Sequence, residues 1–220
     1  MSRPRRYVTR IKRKLLSKLV DGRPLIARGY DTSPRLALLF DDGPNPVHTP
    51  RLIELLSSHG IRATFFLVGA AIEAHPEIVR TLVEGGHELG NHSYRHTRFS
   101  NLALRAQLDE IDLTEALLRR HDGRESHVFY PPQGRLSMSL FVALRLRQQR
   151  VVMGVYDSLD YTGEGTHAIV QMFAKVPVTH GDVVQFHDDN EHTVTALEEL
   201  IPAWRRLDFS FATVSQLLGS

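Results

Sequence analysis

The chain has 220 residues, 42% of them hydrophobic and 24% charged, with 15 Gly and 11 Pro; this suits one globular domain and excludes a disordered, collagen-like or coiled-coil chain. It contains no cysteine, so disulfides, thiolate ligands and a cysteine nucleophile are excluded, and any metal site must be built from His, Asp and Glu. The net charge of +2 hides an asymmetry: residues 1–30 hold ten Lys or Arg against a single acid, Asp21, leaving the rest of the chain net negative, which argues against nucleic acid as a partner.

In the basic segment, Tyr7, Val8, Ile11, Leu15, Leu16, Leu19 and Val20 recur at helical spacing, with Arg10, Lys12, Arg13, Lys14 and Lys18 mostly between them. The pattern predicts a basic amphipathic helix over residues 5–20. Two readings stay open: peripheral contact with an anionic membrane, or a helix packed on the domain with its charges solvated. A mitochondrial-type transit peptide is disfavoured by the scarcity of Ser and Ala. The segment lacks the apolar stretch of a signal peptide, and no run approaches the ~18 apolar residues of a span. The expectation is a cytoplasmic protein, at the inner face of the membrane if the helix binds there. Residues 1–34 read as this basic segment and 35–220 as the main domain.

From Arg35 onward, short apolar runs alternate with amphipathic stretches, the signature of a parallel sheet with helical crossovers. Strands are expected near 35–40, 62–68, 87–91, 127–130, 151–155, 182–187 and 209–213. Helices are bracketed by Thr49-Pro50 and Gly60, by His75-Pro76 and Gly85-Gly86, and by Ser100 and Gly123; Thr166 is a candidate N-cap, and a last helix over about 193–207 contains Pro202. Five polar clusters follow predicted strands: Asp41-Asp42, Asn91 to His96, Tyr130 to Gly134, Asp157 to Asp160, and His187 to Asp189. A barrel brings such strand ends to one mouth, whereas a wide open sheet spreads them apart, so the pattern favours an α/β, distorted (β/α)7-type, TIM-barrel-like fold with an extra N-terminal helix.

Two imidazoles at i and i+4, His92 and His96, are able to reach one cation, and adjacent carboxylates at Asp41 and Asp42 diverge at a strand end, leaving one for metal and the other for proton transfer. One carboxylate with two His resembles a facial ligand set with open positions for water and substrate. Phe40-Asp41-Asp42-Gly43-Pro44, His92-Ser93-Tyr94-Arg95-His96, Tyr130-Pro131-Pro132-Gln133-Gly134, Asp157-Ser158-Leu159-Asp160-Tyr161 and Gln185-Phe186-His187-Asp188 resemble, in order, the five motifs of the polysaccharide deacetylase family, carbohydrate esterase family 4, whose shared region is named after the rhizobial chitooligosaccharide deacetylase. The resemblance spans roughly residues 35–218.

The resemblance implies a barrel of about seven β/α units and metal-assisted hydrolysis of an N-acetyl group, a C–N bond other than a peptide bond. It implies that Asp41 is the base, that Asp42, His92 and His96 hold one divalent ion, and that His187 protonates the leaving amine with Asp160 supporting its charged form. Zinc is the expected ion, with cobalt, nickel and iron compatible with the same ligands. The oxyanion falls to the metal and a backbone N–H near Gln133. Tyr130, Pro131, Gln133, Tyr161 and Gln185 are the expected substrate-binding residues, and the partner is an N-acetylated oligosaccharide, polysaccharide or lipid-linked glycan. Oligomeric state is not legible.

Several positions depart from the family pattern, Gln133 among them in place of an aromatic residue. Tyr130 stands where Arg orients the base, Tyr161 replaces Trp and Gln185 replaces Leu. A phenol offers no forked cation, so altered or reduced activity is expected. Two alternatives follow: an impaired relative that binds metal and glycan without turnover, and a deformylase or amidase acting on a non-sugar C–N bond. The other nine histidines, His127 among them, read as surface or structural, and Trp204 reads as core.

Overall fold

The computed structural model describes residues 34–217 and the two-residue strand Leu25–Ile26. The helix expected over residues 5–20 lies outside them. The strands are β1 (Leu25–Ile26), β2 (Arg35–Asp41), β3 (Thr64–Leu67), β4 (Glu88–Asn91), β5 (Val128–Phe129), β6 (Val151–Val152), β7 (Tyr156–Asp157), β8 (Val183–His187) and β9 (Ser210–Ala212). All pairings are parallel, in the order β1-β6-β5-β4-β3-β2-β8-β7, with β9 joining the first half of β2. The sheet curls into a half-barrel, and among the described residues no ladder joins β7 to the β1–β6 edge. This is the expected (β/α)7-type fold in distorted form.

Strand β2 shows how sequence sets the two faces. Its run Arg-Leu-Ala-Leu-Leu-Phe-Asp is buried from Leu36 onward, as befits a parallel strand covered on both sides. Leu36, Leu38 and Phe40 point outward into a helix-covered cluster with Leu52, Leu56, Leu197, Ile201 and Trp204. Ala37 and Leu39 point inward to Phe66, Val128, Tyr130 and Val183. The two-residue period therefore carries Asp41 to the top of the inward row. Trp204 is core, as its helical position implies.

The helices are α1 (His48–Ser58), α2 (Gly69–Ala74), α3 (Pro76–Glu84), α4 (Leu104–Asp122), α5 (Met138–Leu146), α6 (Thr166–Lys175), α7 (Glu191–Arg206) and α8 (Val214–Leu217). Three sequence-based boundaries shift. Gly165 rather than Thr166 caps α6, and no side chain closes that cap. Helix α4 begins at Leu104, after a separate 3-10 turn Phe99–Asn101 that contains Ser100. Asn190 caps α7 by accepting from the Thr193 N–H at 3.0 Å, and Pro202 is accommodated within the helix. Among the described residues no helix is long and apolar enough to cross a membrane.

Phe40 links sheet to helices, stacking on Phe65 at 4.9 Å and on Phe186 at 6.2 Å between centroids. Phe40→Ala should lower unfolding free energy by about 3–5 kcal/mol in urea titration, because the surrounding aromatic cluster cannot collapse into the lost volume; a loss below ~1 kcal/mol would contradict this packing.

Candidate active site

The five polar clusters meet at the C-terminal mouth of the curled sheet. Asp41 is 2% exposed at the end of β2. The next residue, Asp42, adopts φ 77°, a left-handed conformation that Asp tolerates better than most side chains. This reversal turns the second carboxylate away from the first. Gly43 follows because nothing larger fits: a Cβ there would lie 2.0 Å from Asp188 Oδ2. Asp188 is fully buried and accepts from Thr49 Oγ1 at 2.6 Å.

His92 and His96 sit on an irregular loop after β4 rather than on a helical turn, with Ser93 and His96 both at positive φ. Local hydrogen bonds shape it: the Ser93 N–H donates to Asn91 Oδ1 at 3.0 Å and the His96 N–H to Ser93 Oγ at 3.2 Å. Buried Glu110 on α4 clamps the loop, accepting from the Arg95 backbone N–H at 2.6 Å and from its guanidinium at 2.7 Å. His92 Nδ1 lies 2.7 Å from the Tyr130 carbonyl oxygen, which only accepts, so Nδ1 carries the proton in that bond.

That contact aims His92 Nε2 at the mouth. Asp42 Oδ1 lies 3.3 Å from His92 Nε2 and 3.2 Å from His96 Nε2, and one ligand atom from each of the three residues falls within 4.8 Å of the others. Asp42 Oδ1 and His92 Nε2 are buried without a hydrogen-bond partner. Electron-pair donors converging in this way fit a divalent cation in a site of one carboxylate and two imidazoles.

Asp41 and His187 face each other across paired strands, in direct register, with His187 Nε2 3.5 Å from Asp41 Oδ1. On its other side, His187 Nδ1 lies 2.7 Å from Asp160 Oδ1, and its backbone N–H donates to Asp160 Oδ2 at 2.8 Å. Thr193 Oγ1 donates to the same carboxylate. Burial opposes the imidazolium, but the Asp160 hydrogen bond and the Asp41 and Asp42 charges prevail and push His187 up to about 10. Burial pushes Asp41 up to about 7 against the pull of His187 and His92. Asp42 is also disfavoured by burial, yet its contact with His92 and the charges of His92, His96 and His187 hold it at about 2.

Tyr130 is buried, its ring stacked on His92 at 5.3 Å, and its hydroxyl donates to Gln185 Oε1 at 3.0 Å. Gln185 Nε2 in turn donates to Asp41 Oδ2 at 2.8 Å. These two residues therefore stand behind Asp41, within the barrel. Pro131 is buried, whereas Gln133 is exposed at φ 57°. Tyr161 is 60% exposed, its ring edge-on to the His187 ring at 5.3 Å between centroids and its hydroxyl donating to Asp157 Oδ2 at 3.3 Å, so it forms part of the rim. Sequence reasoning missed the roles of Glu110 and Thr193 and the pairing of Thr49 with Asp188; Asn190, three residues before Thr193, carried a capping signal for the helix that bears Thr193. His127 is structural, buried between Glu115 at 2.9 Å and Asp122 at 3.0 Å.

The polysaccharide deacetylase family model matches residues 28–151. The chain is 31% identical over 188 residues to the peptidoglycan-N-acetylglucosamine deacetylase of Bacillus cereus, with 83% of this chain and 87% of that protein covered. It is 28% identical over 213 residues to the chitooligosaccharide deacetylase of Sinorhizobium fredii, covering 90% and 99% respectively. A crystal structure of the Bc1960 peptidoglycan N-acetylglucosamine deacetylase superposes with a TM-score of 0.86 at 26% identity, covering 94% of this chain and 96% of that one.

Because the folded-state value of His187 is raised, the stability it contributes is complete below the ordinary histidine range and is lost as pH rises through about 10. Asp160→Asn should bring the imidazole back toward its ordinary range and destabilise the protein near neutral pH, with the difference shrinking as pH passes about 10. Imidazole NMR titration and urea unfolding of metal-free protein would check both; an unshifted His187 resonance would rule out the pair as the cause.

Proposed function

The chain belongs to the polysaccharide deacetylase family, and from this premise we propose that it is a metal-dependent hydrolase that removes N-acetyl groups from amino sugars of an oligo- or polysaccharide. The observation that carries the proposal is the convergence of Asp42, His92 and His96 beside the facing pair Asp41 and His187. Support for the substrate class comes from relatives named as deacetylases of peptidoglycan and chitooligosaccharide.

Asp42, His92 and His96 would hold the ion. A divalent cation there supplies Lewis acidity and lowers the pKa of water from ~15.7 toward ~7. Asp41, which faces His187 and accepts from Gln185, is placed beside the ligand set to take a proton from the attacking water. The water oxygen adds to the acetyl carbon, and the C–N bond then breaks. His187 starts as the charged form and gives its Nε2 proton to the departing amine, while Asp160 holds Nδ1. Tyr161 offers an exposed aromatic face at the rim to a sugar ring.

Elemental analysis of purified protein, coupled to acetate release from chitin oligomers and peptidoglycan fragments, tests the proposal. About one divalent ion per chain and acetate from an amino-sugar polymer are expected, with loss on chelation and recovery on readdition of the ion. Asp41→Asn should lower kcat by ~10²–10⁴-fold while the ion stays bound, whereas Asp42→Ala should lose the ion itself. A metal-loaded protein that releases acetate only from acetylated xylan, or formate only from formylated amines, would overturn the amino-sugar assignment.

A further inference from the structure

On the deacetylase reading, we infer that Tyr130 and Gln185 form a positioning relay that holds the Asp41 carboxylate, the task the third-motif arginine performs in the pattern this sequence resembles. The chain of contacts runs from Tyr130 Oη to Gln185 Oε1 at 3.0 Å and from Gln185 Nε2 to Asp41 Oδ2 at 2.8 Å. All three side chains are buried, at 4%, 8% and 2% exposure.

The direction of each bond is set by chemistry. The Asp41 carboxylate only accepts, so Gln185 presents its NH₂ to it. The amide oxygen then faces the phenol, which must donate. Each residue thus makes the other necessary: a leucine at 185 would strand a buried hydroxyl and a buried carboxylate oxygen, and a phenylalanine at 130 would strand the amide oxygen.

Both members are anchored where the relay needs them. Gln185 pairs in register with Leu39, two residues before Asp41 on the neighbouring strand, so its side chain rises along the same inward face. Tyr130 is gripped from several sides: its N–H donates to the Asn91 carbonyl at 3.0 Å, its carbonyl faces His92 Nδ1, and its ring packs on Phe66 at 5.7 Å. Next to its hydroxyl, Gly134 leaves room, since a Cβ there would lie 3.2 Å away. Because both residues lie beneath Asp41 rather than on the exposed rim, their effect passes through the base and falls on the chemical step rather than on glycan binding.

The test compares Tyr130→Phe, Gln185→Leu, the double variant, and Tyr130→Arg combined with Gln185→Leu, in metal-loaded protein, with crystal structures of the wild type and both single variants. Each single variant should lower kcat ~10–100-fold with KM within about twofold, and the double variant should be no worse than the poorer single one. The Arg-Leu combination should recover most of the loss. In the crystals, the Asp41 carboxylate should rotate or split between conformers. Losses that multiply, losses confined to KM, or an Asp41 unmoved in both single variants would overturn the relay. If the wild type released acetate from no glycan, the deacetylase reading would fall, while the Asp41 orientation in the variant crystals would still decide the relay.

Discussion

Four carboxyl groups, Asp41, Asp42, Asp160 and Asp188, share the mouth of the curled sheet, and three of them are almost wholly buried. Burying a carboxylate is costly unless something neutralises it. Much of the surrounding structure answers that requirement, and it does so differently for each acid. Asp160 gains an imidazolium, a backbone N–H and a threonine hydroxyl. Asp188 is held by Thr49, and burial with its acidic neighbours pushes it up to about 7. Asp42 faces two imidazoles, the set to which we assign a cation. Asp41 receives only the amide of Gln185 and the more distant charges of His187 and His92, which suits the proton-accepting role we propose for it.

These environments follow from strand geometry. Inward and outward residues alternate along β2, so an inward carboxylate at its last position meets whatever the parallel neighbour offers at the same level. On β8 that is His187, with Gln185 two residues beneath. The metal candidates come from less regular backbone: Asp42 and His96 take left-handed conformations, and the loop bearing both histidines is tied by Asn91, Ser93 and Glu110.

Much of this was legible in the sequence. Apolar runs marked seven of the nine strands because both faces of a parallel sheet are buried. β7 was missed because two residues, Tyr156-Asp157, carry no periodicity, and β1 for the same reason. Helix α2 is only six residues long and ends against Pro76, too short for a face to show. Helix α5 had a signal, Ser137, whose hydroxyl accepts from the Leu140 N–H, but its apolar residues include exposed Met138, Val142 and Leu146, so no polar face betrayed it. The motif residues were readable because each follows a strand. The link between Tyr130 and Gln185 was not, since it joins residues 55 apart across the hollow of the curled sheet; read singly, Tyr130 looked like a lost partner of the base and Gln185 like an unrelated substitution at a substrate-binding position.

The pairing of Asp41 with His187 has one more consequence. The two side chains ride on the same rung of one parallel ladder, on neighbouring strands, so their separation is set by the strand spacing, ~4.8 Å, and by backbone bonds deep in the core. His96 sits instead on an irregular loop that Glu110 ties to helix α4 through Arg95, while His92 is fixed in addition by the Tyr130 carbonyl. Gentle warming should therefore loosen His96 while Asp41 and His187 stay aligned, so that the ligand set to which we assign a cation gives way before the facing pair does.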